Sequence, residues 1–243
     1  MARLLFISDL HLSPNTPELN QRFRGFLRGP AREAEALYIL GDLFDAWIGD
    51  DDPSSFASQV KEQLAALTAD TPVFFQQGNR DFLLGETFAR ETGVTLLPEE
   101  HVLHTPAGPW LLLHGDQLCT DDREYQQARK LLRSEAFLKQ AMAMSIPRRR
   151  EKAAEMRRMS GEATAAKAEN IMDVNQQAVE ETLLRHGLRQ MIHGHTHRPA
   201  THEFLLDGQP ARRVVLADWK KDAAAFALSL DSRNGGLESL PIP

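Results

Sequence analysis

The chain has 243 residues, 42% of them hydrophobic, and a formal net charge of −6. It is long enough to bury one sizeable core with an inserted subdomain. The acidic balance argues against bulk nucleic-acid binding, and no stretch approaches the ~20 apolar residues of a membrane span or forms a signal peptide. One cysteine, Cys119, allows no internal disulfide; it fits a reducing cytosol and reads as a small apolar filler.

Residues 4–7 are a short apolar run, a buried strand, ending at Ser8-Asp9-Leu10-His11. A carboxylate and an imidazole thus stand two apart just past a strand end, where α/β sheets gather their ligands. Leu19, Phe23, Phe26 and Leu27 are helically spaced over 17–27. A second strand over 36–40 runs into Gly41-Asp42, the glycine permitting close backbone approach. Asp50-Asp51-Asp52 reads as a solvated loop and cap leading through Pro53 into a helix over 54–67. A third strand over 73–76 ends in Gly78-Asn79-Arg80-Asp81. Asn79 offers a carbonyl oxygen for a hard cation, and Arg80 a fork of donors suited to phosphate. A short helix over 83–91 follows, then strands over 94–97, 102–104 and 110–113, with His101 and His104 at the surface. The last strand ends in His114-Gly115-Asp116.

From 121 to 187 the strand signal stops. Helical spacing predicts helices over 122–143, 147–168 and 170–185, with Asp122 and Tyr125 opening the first and Gly187 closing the last. Five methionines fall here, at 142, 144, 156, 159 and 172, as adaptable packing or as a soft apolar surface for a flexible ligand. The run Arg148-Arg149-Arg150-Glu151-Lys152, with Arg157 and Arg158, gives a basic face that is either solvated or turned to phosphates or an anionic membrane. Ser160, Thr164 and Lys167 share one helix face. The strand over 189–192 leads into His193-Gly194-His195-Thr196-His197, a turn that can aim two imidazoles at one point. His193 is either packed in the strand or an orienting partner for a ligand. Strands over 201–206, 214–216 and 226–230 close the sheet, with turns at Asp207-Gly208 and Asn234-Gly235-Gly236.

Asp9, His11, Asp42, Asn79, His114, His195 and His197 therefore all follow strands. Two aspartates, one asparagine and four histidines exceed what one ion needs and suggest two metals sharing a carboxylate. The nitrogen-rich set suits Mn, Fe or Zn over Mg or Ca, and without a thiolate cluster a closed structural zinc is not expected.

In order, Asp-X-His, Gly-Asp-X-X-Asp, Gly-Asn-Arg, His-Gly-Asp and Gly-His-Thr-His resemble the signature of the calcineurin-like metallophosphoesterases, over residues 9–197. That superfamily usually carries Gly-Asn-His at the third motif. Gly-Asn-Arg-Asp-Phe-Leu, the chain length and the Arg- and Met-rich insertion resemble a narrower family, the UDP-2,3-diacylglucosamine hydrolases of lipid A synthesis. The resemblance implies an α/β fold: one domain over 1–243, a β-sandwich flanked by helices, with a helical lid inserted over 121–187. It implies two Mn2+ ions, or other divalent transition metals. One would be held by Asp9, His11 and His197 and the other by Asn79, His114 and His195, with Asp42 between them. It places the substrate on Asn79, Arg80, Asp122, Ser160, Thr164, Lys167 and His195, and the chemistry on Arg80, Asn79 and His195. The activity implied is hydrolysis of the pyrophosphate of a UDP-diacylglucosamine glycolipid at its α-phosphorus, by hydroxide held between the metals. The enzyme would sit in the cytoplasm, on the anionic inner-membrane surface of a Gram-negative bacterium. Arg80 in place of histidine suits that reaction. A phosphate leaving group needs charge stabilisation more than a proton, and an arginine supplies it.

Overall fold

The computed structural model describes residues 3–166 and 173–242, with side chains described up to 161 in the first stretch. Two sheets face each other. In the first, the order is β11 (Leu237–Ile242), β10 (Ala225–Asp231), β1 (Arg3–Ile7), β2 (Ala36–Leu40), β3 (Val73–Gln76) and β4 (Thr95–Leu96); β1 to β4 run parallel, and β10 and β11 close the edge antiparallel. The second has the order β5 (His101–Thr105), β6 (Gly108–Leu112), β7 (Gln190–His193), β9 (Gln209–Val215) and β8 (Ala200–Leu206), with β6, β7 and β9 parallel. The β8–β9 hairpin turns at Asp207-Gly208, both at positive φ, as a tight two-residue connection requires.

Side-chain alternation along the strands sorts the core into layers. Leu4, Phe6, Tyr38 and Leu40 on the first sheet meet Trp110, Leu112, Ile192 and Val214 on the second, and fill the sandwich. The opposite face of the first sheet packs on α1 (Pro17–Arg28), α2 (Ser55–Thr68) and α3 (Glu86–Thr92), with Phe23, Phe26, Leu64 and Phe88 fully or almost fully buried. On the outer face of the second sheet lies α7 (Gln176–His186), whose Val179 and Leu183 are buried against Leu111, Leu113 and Met191.

That placement corrects the expected extent of the insertion. Residues 176–186, within the expected 121–187 cap, form an outer layer of the sandwich, because their apolar stripe is spent on the core of the second sheet. The expected helix over 122–143 is two: α4 (Arg123–Leu132) and α5 (Glu135–Ala143). The break falls at Arg133-Ser134, where Ser134 accepts from Phe137 N and caps α5 while Arg133 turns inward. A serine that bonds its own backbone favours a helix start over a helix interior. α6 (Ile146–Ala166) completes the described part of the cap. Met172 and Lys167 lie outside the described residues, as does the side chain of Thr164.

Asp51 of the acidic triplet is exposed as expected, but the loop is bonded into the fold through all three carboxylates. Asp50 accepts from Trp47 Nε1 (3.0 Å) and from the amides of Gly85 (3.1 Å) and Phe88 (2.9 Å), closing the first turn of α3. Ser54, not an aspartate, caps α2, and Asp52 braces Ser54. Asp51 and Asp52 bind Arg149 and Arg150 of α6. Asp50→Ala should destabilise the fold by about 2 kcal/mol, since three donors lose one acceptor. A urea midpoint equal to the wild type's would show those bonds are dispensable.

The basic run is likewise committed. Arg148 pairs with Glu151, Lys152 with Glu155, and Arg157 with Asp45, beside the two arginines above. The expected positive face is therefore largely neutralised within the protein. Cys119 is buried, and burial pushes its thiol up to about 12, in keeping with a filler.

Candidate active site

The carboxyl ends of β1, β2 and β3 meet those of β6 and β7 at one edge of the sandwich. The loops there are laced together by backbone bonds: Asp9 N to Gly41 O (3.1 Å), His11 N to Asp42 O (3.0 Å) and Gly194 N to His114 O (2.8 Å). All seven strand-end residues from the sequence come together. Five of them, Asp9, His11, Asp42, His195 and His197, have φ between 49° and 69°; among described non-glycine residues only Asp207 joins them. Left-handed backbone is costly for such residues, and its concentration here marks a site whose side chains are held in place against strain. Two glycines allow the convergence. A Cβ at Gly78 would overlap Asp42 Oδ1, and one at Gly194 would overlap Ser8 Oγ and Asp9 Oδ2.

Asp9, His11 and His197 form one cluster: His197 Nε2 lies 3.4 Å from Asp9 Oδ1 and 3.4 Å from His11 Nε2. Asp42 faces two ways, with Oδ2 3.9 Å from His11 Nδ1 and Oδ1 3.8 Å from His114 Nε2. Asn79 Oδ1 lies 3.0 Å from both His114 Nε2 and His195 Nδ1. Asp9, His11 and His197, and again Asp9, Asp42 and His114, present ligand atoms within 4.8 Å of one another. Asp9 Oδ1 and His11 Nδ1 are buried with no hydrogen-bond partner. Orphaned buried acceptors are costly, so this donor set fits cations between its members.

The electrostatics agree. Burial lowers His11 to about 3 and His195 to about 4, so both rings are neutral, as ligands must be; at His114 and His197 the neighbouring carboxylates outweigh burial and raise the rings, so a cation there would displace a proton. Burial would raise Asp9, but the His197 ring 3.4 Å away and the charge of His114 outweigh it and hold the carboxyl below the usual range. Burial raises Asp42 to about 7. His114 donates Nδ1–H to Leu40 O (2.8 Å), which leaves Nε2 facing the cluster.

Several supporting residues carried no sequence signal beyond their motif. Asp81, fully buried, accepts from the amides of Gly78 (2.7 Å) and Leu43 (2.8 Å) and so ties the second and third strand ends. Asp116, also buried, accepts from Tyr125 Oη (3.0 Å) and Arg129 Nε (2.8 Å) on α4. Arg133 donates to Gly78 O (3.1 Å), next to Asn79. His193 is satisfied by Gly194 O (2.8 Å) and Arg213 Nη1 (3.1 Å). It is both packed in its strand and a brace for the Gly194 turn.

Arg80 N donates to Asp42 Oδ1 (2.8 Å), which leaves the guanidinium free of that bond. The guanidinium reaches Ser160 Oγ of α6 at 3.4 Å, and its Nε is buried without a partner. Asp122 caps α4 through Tyr125 N (3.0 Å). Beside Asn79 and Arg80 opens a cavity of about 420 Å³ beneath α5 and α6, lined chiefly by apolar side chains such as Ile48, Phe82, Phe137, Met144, Met156 and Met159.

Residues 2–199 match the model of the calcineurin-like phosphoesterase family. The chain is 49% identical over 229 residues to UDP-2,3-diacylglucosamine hydrolase of Serratia proteamaculans (strain 568), covering 94% of this chain and 95% of the relative. It is 47% identical over 228 residues to the protein of the same name from Escherichia coli O17:K52:H18 (strain UMN026 / ExPEC), covering 93% and 95%. An archaeal phosphodiesterase of solved structure shares the fold, with a TM-score of 0.51 at 13% identity over 99% of both chains.

Proposed function

Since the chain belongs to the calcineurin-like phosphoesterase family and, within it, to the UDP-2,3-diacylglucosamine hydrolases, we propose that it cleaves the pyrophosphate of UDP-2,3-diacylglucosamine, yielding UMP and 2,3-diacylglucosamine 1-phosphate. One observation carries the reading: Asn79 and Arg80 stand where the polar cluster meets the apolar cavity. A substrate with a phosphate head and acyl tails needs that junction.

In this reading Asp9, His11 and His197 hold one divalent cation, Asn79, His114 and His195 a second, and Asp42 reaches both. The orphaned Asp9 Oδ1 and His11 Nδ1 and the two-sided placement of Asp42 support it. The nitrogen-rich set favours Mn2+. When bound, the cations supply a nucleophilic hydroxide at neutral pH and neutralise phosphoryl charge. The chain supplies the rest. A new P–O bond forms at the α-phosphorus, and the bond to the bridging oxygen breaks. The electron pair leaves with the sugar phosphate. Arg80, with an unpartnered buried Nε–H, donates to the phosphoryl oxygens as that charge grows. Ser160 holds the guanidinium from the cap side, and Asn79 and His195 flank the same phosphate. Asp122, Thr164 and Lys167 complete the substrate contacts expected from the family. Asp116, through Arg129 and Tyr125, keeps α4 seated beside His195. α4 to α6 act as the lid.

The acyl chains occupy the cavity under α5 and α6. Phe137→Asp should raise KM for the lipid substrate at least tenfold, about 1.4 kcal/mol, and leave hydrolysis of a small chromogenic diester unchanged. Equal loss on both substrates would assign Phe137 to the fold instead.

Among the described residues no helix is long and apolar enough to cross a membrane. We assign the chain to the inner-membrane surface. With the basic run paired, contact falls to exposed apolar side chains of the cap, Leu131, Met142 and Met159. The test of the whole reading is release of UMP from UDP-2,3-diacylglucosamine with and without Mn2+ in 18O-labelled water. Label in UMP is expected; label in the sugar phosphate would overturn attack at the α-phosphorus.

A further inference from the structure

The loop that follows β9 brings a carboxylate behind the metal cluster. Asp218 Oδ2 lies 3.4 Å from His197 Nδ1, on the side of the ring away from Asp9 and His11, and its side chain is 9% exposed. The opposite nitrogen, Nε2, faces Asp9 Oδ1 and His11 Nε2. The loop is firmly held: Trp219 N donates to Asp9 O (3.1 Å), Leu216 N to His193 O (2.7 Å), and the buried Trp219 ring donates to Phe226 O (3.1 Å) and packs edge-on against Phe26. Lys220 Nζ, 3.2 Å from the same Asp218 oxygen, is the carboxylate's other partner.

We propose that Asp218 is a positioning residue for His197: by accepting its Nδ1–H it fixes the tautomer that turns the Nε2 lone pair toward Asp9 and His11. A histidine whose second nitrogen has no acceptor spends part of its time in the other tautomer and in other ring orientations. Carboxylate partners of ligating histidines strengthen metal affinity by about 10–100-fold for this reason. His114 shows the same device with Leu40 O as acceptor. The site would then use a backbone carbonyl on one side and the Asp218 carboxylate on the other. The inference rests on the reading of Asp9, His11 and His197 as one metal site.

Two measurements separate the inference from that reading. With diamagnetic Zn2+ on the site, 1H–15N correlations report the His197 ring in the full-length protein directly. Wild type should show a slowly exchanging Nδ1–H, and in Asp218→Ala that proton should exchange with solvent at least tenfold faster; an unchanged exchange rate overturns the proposal. Calorimetric titration with Mn2+ should then show two sites in wild type. In Asp218→Ala one site weakens at least tenfold and the other does not, and Asp218→Asn, which keeps an acceptor oxygen, recovers part of the loss. Lys220→Ala should leave both sites unchanged. Equal weakening of both sites, or the same loss in Lys220→Ala, would assign Asp218 to loop structure and overturn the proposal. Absence of any Mn2+ or Zn2+ binding to wild type would overturn the metal reading and the proposal with it, an outcome distinct from selective weakening of one site.

Discussion

Asp42→Asn should abolish metal-dependent turnover, by at least about 10³-fold or ~4 kcal/mol, and yet yield a more stable metal-free protein. Its two oxygens face His11 and His114 on opposite sides, so an amide, with one neutral oxygen and one donor, leaves one side without an acceptor. The backbone contact is spared, because the remaining Oδ1 can still accept from Arg80 N. The gain in stability follows from burial, which raises the Asp42 carboxyl to about 7 when no cation is present. A carboxyl whose folded value is raised binds its proton more tightly in the folded state. Its stabilising contribution is full below the unfolded value of about 4 and is lost as pH climbs through about 7. Asparagine mimics the neutral acid at every pH. With chelator present, Asp42→Asn should melt above wild type by roughly 1–2 kcal/mol, about 2–8 °C, at and above pH ~7 and converge with it in acid. Added Mn2+ should reverse the order, since only wild type gains binding energy. A variant that is less stable than wild type at every pH without metal would mean that the carboxylate is not strained by burial.

Arg80→Ala should cut kcat by about 10²–10³-fold and leave metal content at the wild-type level. The separation is built into the fold, since the backbone amide of Arg80 bonds Asp42 while its guanidinium reaches Ser160 and presents a buried, unpartnered Nε. Arg80→Lys should recover only part of the loss, because an ammonium cannot reproduce the fork. Ser160→Ala should cost less than tenfold, as it removes a 3.4 Å contact that positions the guanidinium. The measurement is kcat with inductively coupled plasma metal analysis on the same preparations. Loss of metal from Arg80→Ala would move Arg80 from phosphate stabilisation to upkeep of the cluster.

The seven convergent side chains were legible because each follows a short apolar run bounded by a turn, a length and flanking pattern that reads as a buried strand. Parallel strands of one sheet, and of two sheets packed face to face, end at the same edge. Local order along the chain therefore carried the three-dimensional grouping. The helices over 17–27 and 54–67 were legible for a similar reason: their apolar spacing matches the face they bury. What was illegible is what depends on partners far away in sequence. The break between α4 and α5 has a local signal in Ser134, which caps α5, but the inward turn of Arg133 to Gly78 O, 55 positions away, does not. α7 has helical spacing like the cap, and only its contact with Met191 and Leu113 assigns it to the sandwich. The basic run reads as a face that is solvated or turned to phosphates or a membrane, because Arg149 and Asp51 lie 98 positions apart and a charge carries no periodicity that names its counter-ion.

The sequence by itself determined which groups could do chemistry and at which edge they gather, since strand ends and glycine turns are local properties. Only the tertiary structure decided how those groups are held. The buried carboxylates Asp81 and Asp116 and the half-buried Asp218 take their roles from amides, an arginine, a tyrosine and a histidine brought to them by packing. A buried charge keeps such a role only where its partners surround it, and that surrounding exists in three dimensions alone.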